Sequence, residues 1–248
     1  MFAVVTCTKT VSADAAYRPL TDALLPSLNH TVTERELEEW DIRLYICVDD
    51  DDALVRNGTQ PMIDRLRPYV PSLPITVLLY PHSRTIPHGL AAMRAFSDGA
   101  TYVHRTNDDT RFLTSGWIHA STAQLARWDN VGVVGPISHG DPRSRRYGEN
   151  RNILLTRDVV HKKHVGIFAD YYPKCLYNWY VDDWISHSYA LHGRAAFVDG
   201  WRVKHAFVQT RYRPSLGQGR RLKELVGCGA MAVNASLRRD ATRPVSCC

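Results

Sequence analysis

No stretch of this 248-residue chain approaches the about 18–20 consecutive apolar residues that a membrane-spanning helix needs. Met1 leads straight into an apolar, β-branched run, with none of the charged and hydrophobic regions of a secretory leader. A soluble, cytoplasmic protein is therefore expected. The six cysteines, Cys7, Cys47, Cys175, Cys228, Cys247 and Cys248, contain no CxxC pair and no regular spacing. That argues against a zinc site or a disulfide scaffold and predicts free thiols. The Cys247-Cys248 end reads as a frayed tail rather than a prenylation box. There is no internal repeat and no low-complexity linker, so one domain is expected rather than an array. The three Asn-x-Ser/Thr sequons, at Asn29, Asn57 and Asn234, read as chance occurrences in the absence of a leader.

What is present is ordinary globular composition, 44% hydrophobic and 23% charged, which excludes wholesale disorder. The net charge of +6 is unevenly spread. Residues 202–248 carry ten basic and two acidic residues, leaving 21 basic against 23 acidic before them. The body is thus slightly acidic and the C-terminal fifth strongly basic. A domain that coats nucleic acid would be basic throughout, so no nucleic-acid partner is expected, and the tail suggests local attraction for an anion.

Hydrophobic periodicity alternates between strand and helix. Strands are expected at 2–8 (FAVVTCT), 42–48 (IRLYICV), 75–80 (ITVLLY), 102–106 and 131–137 (VGVVGPI), with short late strands at 196–198 and 201–206. Helical pieces are expected within 12–28, limited by Pro19 and Pro26, and at 89–97, 115–128, 157–168 and 182–192. Thr33 and Glu36 have the spacing of a capping box for a short helix ending near Trp40. Residues 138–152 read as a polar loop, and a helix is expected near the C-terminus. This order favours an α/β fold with helices on a parallel or mixed sheet, whose ligands bind beyond the carboxyl ends of the strands.

Acidic residues gather at those ends. Asp49-Asp50-Asp51-Asp52 follows the second strand and Asn107-Asp108-Asp109 the fourth. Neighbouring carboxylates repel one another unless a cation lies between them and a phosphate, and hard oxygen ligands suit Mg2+ or Mn2+. The plainer alternative is a solvated turn, for which Asn-Asp-Asp is good chemistry. Asp182-Asp183-Trp184 opens a predicted helix, where the acids serve either as caps or as a general base. His205 ends a short strand-like run and gains meaning only if it meets Asp109. His161 and His164 would share a helix face, but without a third ligand they read as solvated helix polarity rather than zinc ligands. Trp179, Trp184 and Trp201 suit sugar stacking or, more commonly, core packing.

Taken in order, FAVVTCT, YICVDDDD, Asn107-Asp108-Asp109, Gly135-Pro136, ILLTRDVV, Asp182-Asp183-Trp184 and the strand ending in His205 resemble the GT-A-fold glycosyltransferases, in the pattern of the large family 2 group. The resemblance runs from Phe2 to about His205. It implies a GT-A (Rossmann-like) mixed, mostly parallel sheet flanked by helices in a single domain. Residues 1–110 would be the nucleotide-sugar half and 111–205 the acceptor half, with 206–248 an Arg-rich loop and helix on the same domain.

By that resemblance, Thr6, Thr8 and Lys9 follow the first strand where the nucleotide is held, and Asp49 or Asp50 meets the base. Arg84 would reach the nucleotide or its phosphates. Asp109, with Asn107 or Asp108 in a DxD-like turn, would bind the metal, and His205 would complete its shell. Asp183, with Asp182 beside it, would be the catalytic base. Asn107 stands where the family usually has Asp, and the usual Glu-Asp pair is Asp182-Asp183 here. The implied activity is metal-dependent, inverting transfer of a sugar from a UDP- or GDP-linked donor to a glycan, glycoprotein or lipid acceptor. Arg211, Arg213, Arg220 and Arg221, in RYRPSLGQGRR, would fold over the diphosphate or form an ordinary basic surface loop. A sugar-phosphate nucleotidylyltransferase is the competing enzyme class, although TCTKTVSADA lacks the glycine its phosphate loop would need. A glycan-binding protein on a decayed transferase fold is the non-catalytic alternative, kept alive by Asn107.

Overall fold

The computed structural model describes residues 1–9, 18–81, 87–139, 153–176, 179–206, 216–239 and 243–248. An eight-stranded sheet runs in the order β3-β2-β1-β4-β7-β6-β8-β5. Its strands are β1 (Phe2–Cys7), β2 (Ile42–Asp49), β3 (Ile75–Tyr80), β4 (Tyr102–Arg105), β5 (Thr110–Phe112), β6 (Val133–His139), β7 (Asp158–His161) and β8 (Ala195–His205). The pairs β3/β2, β2/β1, β1/β4 and β6/β8 are parallel, whereas β4/β7, β7/β6 and β8/β5 are antiparallel. The expected mixed, mostly parallel α/β sheet is the observed one.

The helices are α1 (Leu25–Thr31), α2 (Glu34–Glu39), α3 (Gln60–Leu66), α4 (Pro87–Ser97), α5 (Trp117–Ala126), α6 (Lys163–Ile167), α7 (Val181–Ala190) and α8 (Leu216–Leu237). Alternating residues of β1 and β2 serve opposite faces. Phe2, Val4, Leu44 and Ile46 join a core with α1, Trp117 and Trp201, while Ala3, Val5, Tyr45 and Cys47 join a second core with α4, Trp184 and α8. Both faces are covered, which is why these strands read as continuous apolar runs.

The Thr33/Glu36 capping box forms as expected. Glu36 does more than its spacing announced, because its fully buried carboxylate also accepts the backbone N–H of Ile118 at 2.8 Å and of His119 at 3.2 Å. One side chain therefore satisfies the starts of α2 and α5.

Five expectations need correction. Residues 157–168 are not one helix: 158–161 form β7, whose Val159 and Val160 lie between β4 and β6, and only Lys163–Ile167 is helical. Burial on both faces of a central strand outweighed the helical pattern. The two late strands are one, β8, with Gly200 at φ +82° inside it and a register shift opposite Gly135/Ile137 of β6. Ser138 and His139 belong to β6 rather than to a loop; 140–152 lie outside the described residues.

The cysteines are not free thiols. Cys7–Cys47, Cys175–Cys248 and Cys228–Cys247 are disulfides, spanning 40, 73 and 19 residues. No sequence spacing announces them, because chain folding alone brings the partners together; Cys7 and Cys47 are register neighbours on β1 and β2. Nor is the C-terminus frayed. The Val245 N–H donates to Ile167 O (2.9 Å) and Val245 O accepts from the Ala169 N–H (3.0 Å).

Candidate active site

The carboxyl ends of β1, β2 and β4 lie side by side, so residues separated by a hundred positions converge there. Thr6 and Thr8 are buried, and Lys9 forms an ion pair with Asp49 at 3.1 Å. The Asp50 N–H is held by Tyr80 O at 2.9 Å, which continues the β2/β3 ladder by one residue. Arg84 lies outside the described residues.

After β4 the chain turns through Asn107-Asp108-Asp109 into the short strand β5, which periodicity did not reveal. The Thr110 N–H donates to Asn107 O (3.1 Å) and closes the turn, and the Thr106 hydroxyl donates to the Thr110 hydroxyl (3.1 Å). The solvated turn is thereby ruled out: Asp108 and Asp109 are 5% and 8% exposed. The two acids face different partners. Asp108 accepts the Thr8 hydroxyl at 2.8 Å, whereas Asp109 Oδ2 lies 2.9 Å from His205 Nε2. β5 and β8 create the second meeting, since Thr110 pairs with His205 and the Ala206 N–H donates to Asp109 O at 2.9 Å. The other carboxylate oxygen, Asp109 Oδ1, is buried and has no hydrogen-bond partner among the described residues. A desolvated carboxylate oxygen without a donor is costly, and a hard divalent cation relieves that cost. Asp109 and His205, with the Asn107 amide on the same turn, therefore fit a Mg2+- or Mn2+-type site. No group of three His, Cys, Asp or Glu side chains capable of holding a metal occurs among the described residues.

Behind this turn lies an aromatic floor. His104 packs against Trp117 (5.4 Å) and Trp201 (5.1 Å), and burial pushes its pKa down to about 3. The wall beside it is Arg157, 1% exposed, whose Nε donates to the Thr110 hydroxyl at 2.7 Å. Gly135 permits this approach, because a Cβ there would stand 2.2 Å from Arg157 O. Sequence reading missed both His104 and Arg157; a polar residue inside an otherwise apolar strand was the only available signal.

Asp182 and Asp183 stand in the first turn of α7, entered through Tyr180 in the left-handed conformation (φ 67°). Asp182 is 7% exposed, and Asp183 is partly exposed. α8 seats this helix: the Trp184 Nε1–H donates to Leu225 O at 3.0 Å, and a Cβ at Gly219 would meet the Tyr180 hydroxyl at 2.9 Å. Arg220 and Arg221 are exposed near the start of α8, and Arg211 and Arg213 lie outside the described residues.

The remaining sequence candidates resolve as packing. Trp201 stacks on Trp117 (5.3 Å) in one core, and Trp184 meets Phe168 (4.9 Å) in the other, so they do not share an acceptor surface. His161 is in β7 and not on a helix with His164. His164 is buried rather than solvated: Nδ1 pairs with the Tyr189 hydroxyl and Nε2 with Tyr171 O, each at 2.9 Å, which leaves no nitrogen for a metal.

No protein-family model matches the chain, and no curated protein matches it by sequence. Solved structures do match. S. aureus TarS 1-349 in complex with UDP superposes with TM-score 0.60 at 12% identity, over 96% of this chain and 70% of that one. The UDP-GlcNAc complex of TarS 1-349 gives 0.59 at 12% identity, over 96% and 71%. GalNAc-T7 with UDP, GalNAc and Mn2+ gives 0.57 at 10% identity, over 92% of this chain and 48% of that one. The fold is therefore that of the GT-A-type glycosyltransferases, as the sequence resemblance implied.

Proposed function

We propose that this protein is a glycosyltransferase that moves a sugar from a nucleotide-diphosphate sugar to an acceptor hydroxyl, using a divalent cation and inverting the anomeric centre. The observation that carries the reading is the Asp109–His205 pair, with the buried Asp109 Oδ1 left without a donor among the described residues at the strand ends of a GT-A fold. The likeness to UDP-bound structures supports a UDP-linked donor held against Thr6, Thr8, Lys9 and Asp49 or Asp50 by the 1–110 half, with the acceptor on the 111–205 half. Asp109 and His205 would hold Mn2+ or Mg2+, with Asn107 on the same turn. The cation supplies Lewis-acid stabilisation of the charge that develops on the leaving diphosphate. Asp108, engaged by Thr8, sets the turn rather than binding the cation.

On the acceptor side, the Asp183 carboxylate takes the proton from the attacking hydroxyl as the new glycosidic bond forms and the bond to the diphosphate breaks. One base on the face opposite the leaving group gives inversion. Arg220, with Arg211, Arg213 and Arg221, supplies cations for the diphosphate beside the base helix. The acceptor is a hydroxyl of a glycan, glycoprotein or lipid.

The described residues contain no helix long and apolar enough to cross a membrane. The three disulfides weigh against the reducing cytosol that the sequence suggested and favour an oxidising compartment.

The test is hydrolysis and transfer across a panel of UDP and GDP sugars, with Mn2+ and with chelator. Turnover that chelator and Asp109→Ala both abolish supports the reading. Turnover indifferent to both removes the metal, and tight nucleotide binding without any turnover favours the non-catalytic glycan-binding alternative.

A further inference from the structure

Arg157 stands immediately before β7, and its backbone is fixed on three sides. The Leu155 N–H donates to the Ser186 hydroxyl of α7 at 2.8 Å, and Thr156 O accepts Arg105 Nη1 at 2.7 Å. Arg157 O lies so close to Gly135 of β6 that no Cβ fits between them. From this base the buried guanidinium reaches two strands. Nε donates to the Thr110 hydroxyl of β5 at 2.7 Å. Nη1 donates to the Ser138 hydroxyl of β6 at 3.1 Å and to the Thr156 hydroxyl at 3.0 Å. β5 and β6 flank β8 in the sheet, so one planar fork ties the strands on either side of the strand that ends in His205.

Thr110 is the residue through which this matters. It follows Asp109 directly, its N–H closes the turn onto Asn107 O, and it is the register partner of His205. β5 is only three residues long and lies at the edge of the sheet against β8. So short an edge strand has few ladder bonds of its own to fix its place. Its far end is tied by the Ser27 hydroxyl, which accepts the Phe112 N–H at 2.9 Å. Its near end, beside Asp109, is tied through the fully buried Thr110 hydroxyl, which accepts from Arg157 and from Thr106. The Arg157 bond is the shorter and the charge-assisted one of the two.

We propose that Arg157 is a positioning residue for the cation site: through the Thr110 hydroxyl it fixes the turn that presents Asp109 and the β5/β8 register that brings His205 to it. The inference rests on the metal-dependent transfer reading and deepens it. A guanidinium has no lone pair to offer a cation, so Arg157 acts on the ligands and not on the metal. Partners that orient metal ligands tune affinity, because a cation tolerates little displacement of its donors.

The experiment uses the full chain and reads UDP binding by calorimetry across a series of Mn2+ concentrations, beside hydrolysis of whichever UDP sugar the wild type turns over best. Arg157→Met is expected to raise the Mn2+ midpoint of UDP binding by about 10-fold, the lower end of what such partners cost. Saturating Mn2+ should then return turnover to within about 3-fold of wild type. A merely structural arginine would lower the unfolding temperature and the active fraction and leave the Mn2+ midpoint where it was, and that result overturns the proposal. Thr110→Val removes the acceptor while keeping the shape and a strand-favouring side chain, so it serves even where Arg157→Met fails to fold. It should raise the midpoint as Arg157→Met does, Thr110→Ser should keep the wild-type midpoint, and the double variant should be no worse than either single one. A wild-type midpoint in Thr110→Val, or additive losses in the double variant, overturns the proposal. UDP binding that is indifferent to Mn2+ in the wild type overturns the metal reading, and the inference with it. A wild type that binds UDP with Mn2+ yet turns over no sugar overturns only the transfer reading, and the midpoints still decide the role of Arg157.

Discussion

The Thr8 hydroxyl donates to Asp108 at 2.8 Å across 100 residues of chain, and this bond divides the labour of two adjacent carboxylates. With Asp108 tied to the end of β1, Asp109 is the acid that meets His205 and keeps a buried oxygen without a donor among the described residues.

That division predicts unequal mutants. Asp109→Ala should abolish Mn2+-dependent turnover and weaken Mn2+-dependent nucleotide binding. Thr8→Val should lower turnover more modestly, about 10- to 100-fold, because a net hydrogen bond to a charged group is worth about 1.5–3 kcal/mol. Equal losses in the two variants, measured by Mn2+ titration of turnover, would contradict the assignment.

Within the α7 pair, Asp183→Asn should cost about 100- to 10,000-fold in transfer, the usual scale for a general base, while UDP binding stays near wild type. Full activity in Asp183→Asn with a dead Asp182→Asn would move the base by one residue.

Glu36 should behave as a structural keystone with no part in chemistry. Its carboxylate accepts the backbone N–H groups of Thr33, Ile118 and His119. Glu36→Ala strands those donors at two helix starts and should cost about 2–4 kcal/mol by denaturant unfolding, since the fully buried Ile118 N–H alone costs about 1–3 kcal/mol and the two part-buried donors add less. Unchanged stability would show that water replaces the carboxylate.

His104 and His164 are both kept neutral: burial pushes their pKa values down to about 3 and about 4 from the ordinary histidine value of 6.5. The unfolded chain then binds protons that the folded one refuses. Their contribution is present above about pH 6.5 and is lost as pH falls towards 4 and then 3, with a slope of about 1.4 kcal/mol per pH unit per histidine. Unfolding titrations from pH 7.5 to 4 should show this slope, and His164→Gln should make it shallower.

The native protein should show no free thiol to a thiol reagent, and six after reduction and unfolding, if its cysteines pair as in the structure. Serine substitution at Cys7 and Cys47 together should cost about 2–4 kcal/mol. Reactive thiols in the native chain would restore the cytosolic expectation.

Residues whose information is local were legible before folding. The apolar runs of β1, β2 and β3, the capping box at Thr33 and Glu36, and the acids at the strand ends depend on neighbours a few positions away, and all appear where the sequence put them. Where burial competed with periodicity, sequence reading failed. The 158–161 strand looked helical until two flanking strands claimed its backbone, whereas Trp201, open to stacking or core packing from sequence, is packed on Trp117 in the core. Tertiary structure alone decided which carboxylate faces His205, which cysteines pair, and that the buried Arg105 meets Asp158. Each is a contact between segments far apart in the chain that only folding brings within 3 Å to 6 Å, and no local pattern encodes such a distance.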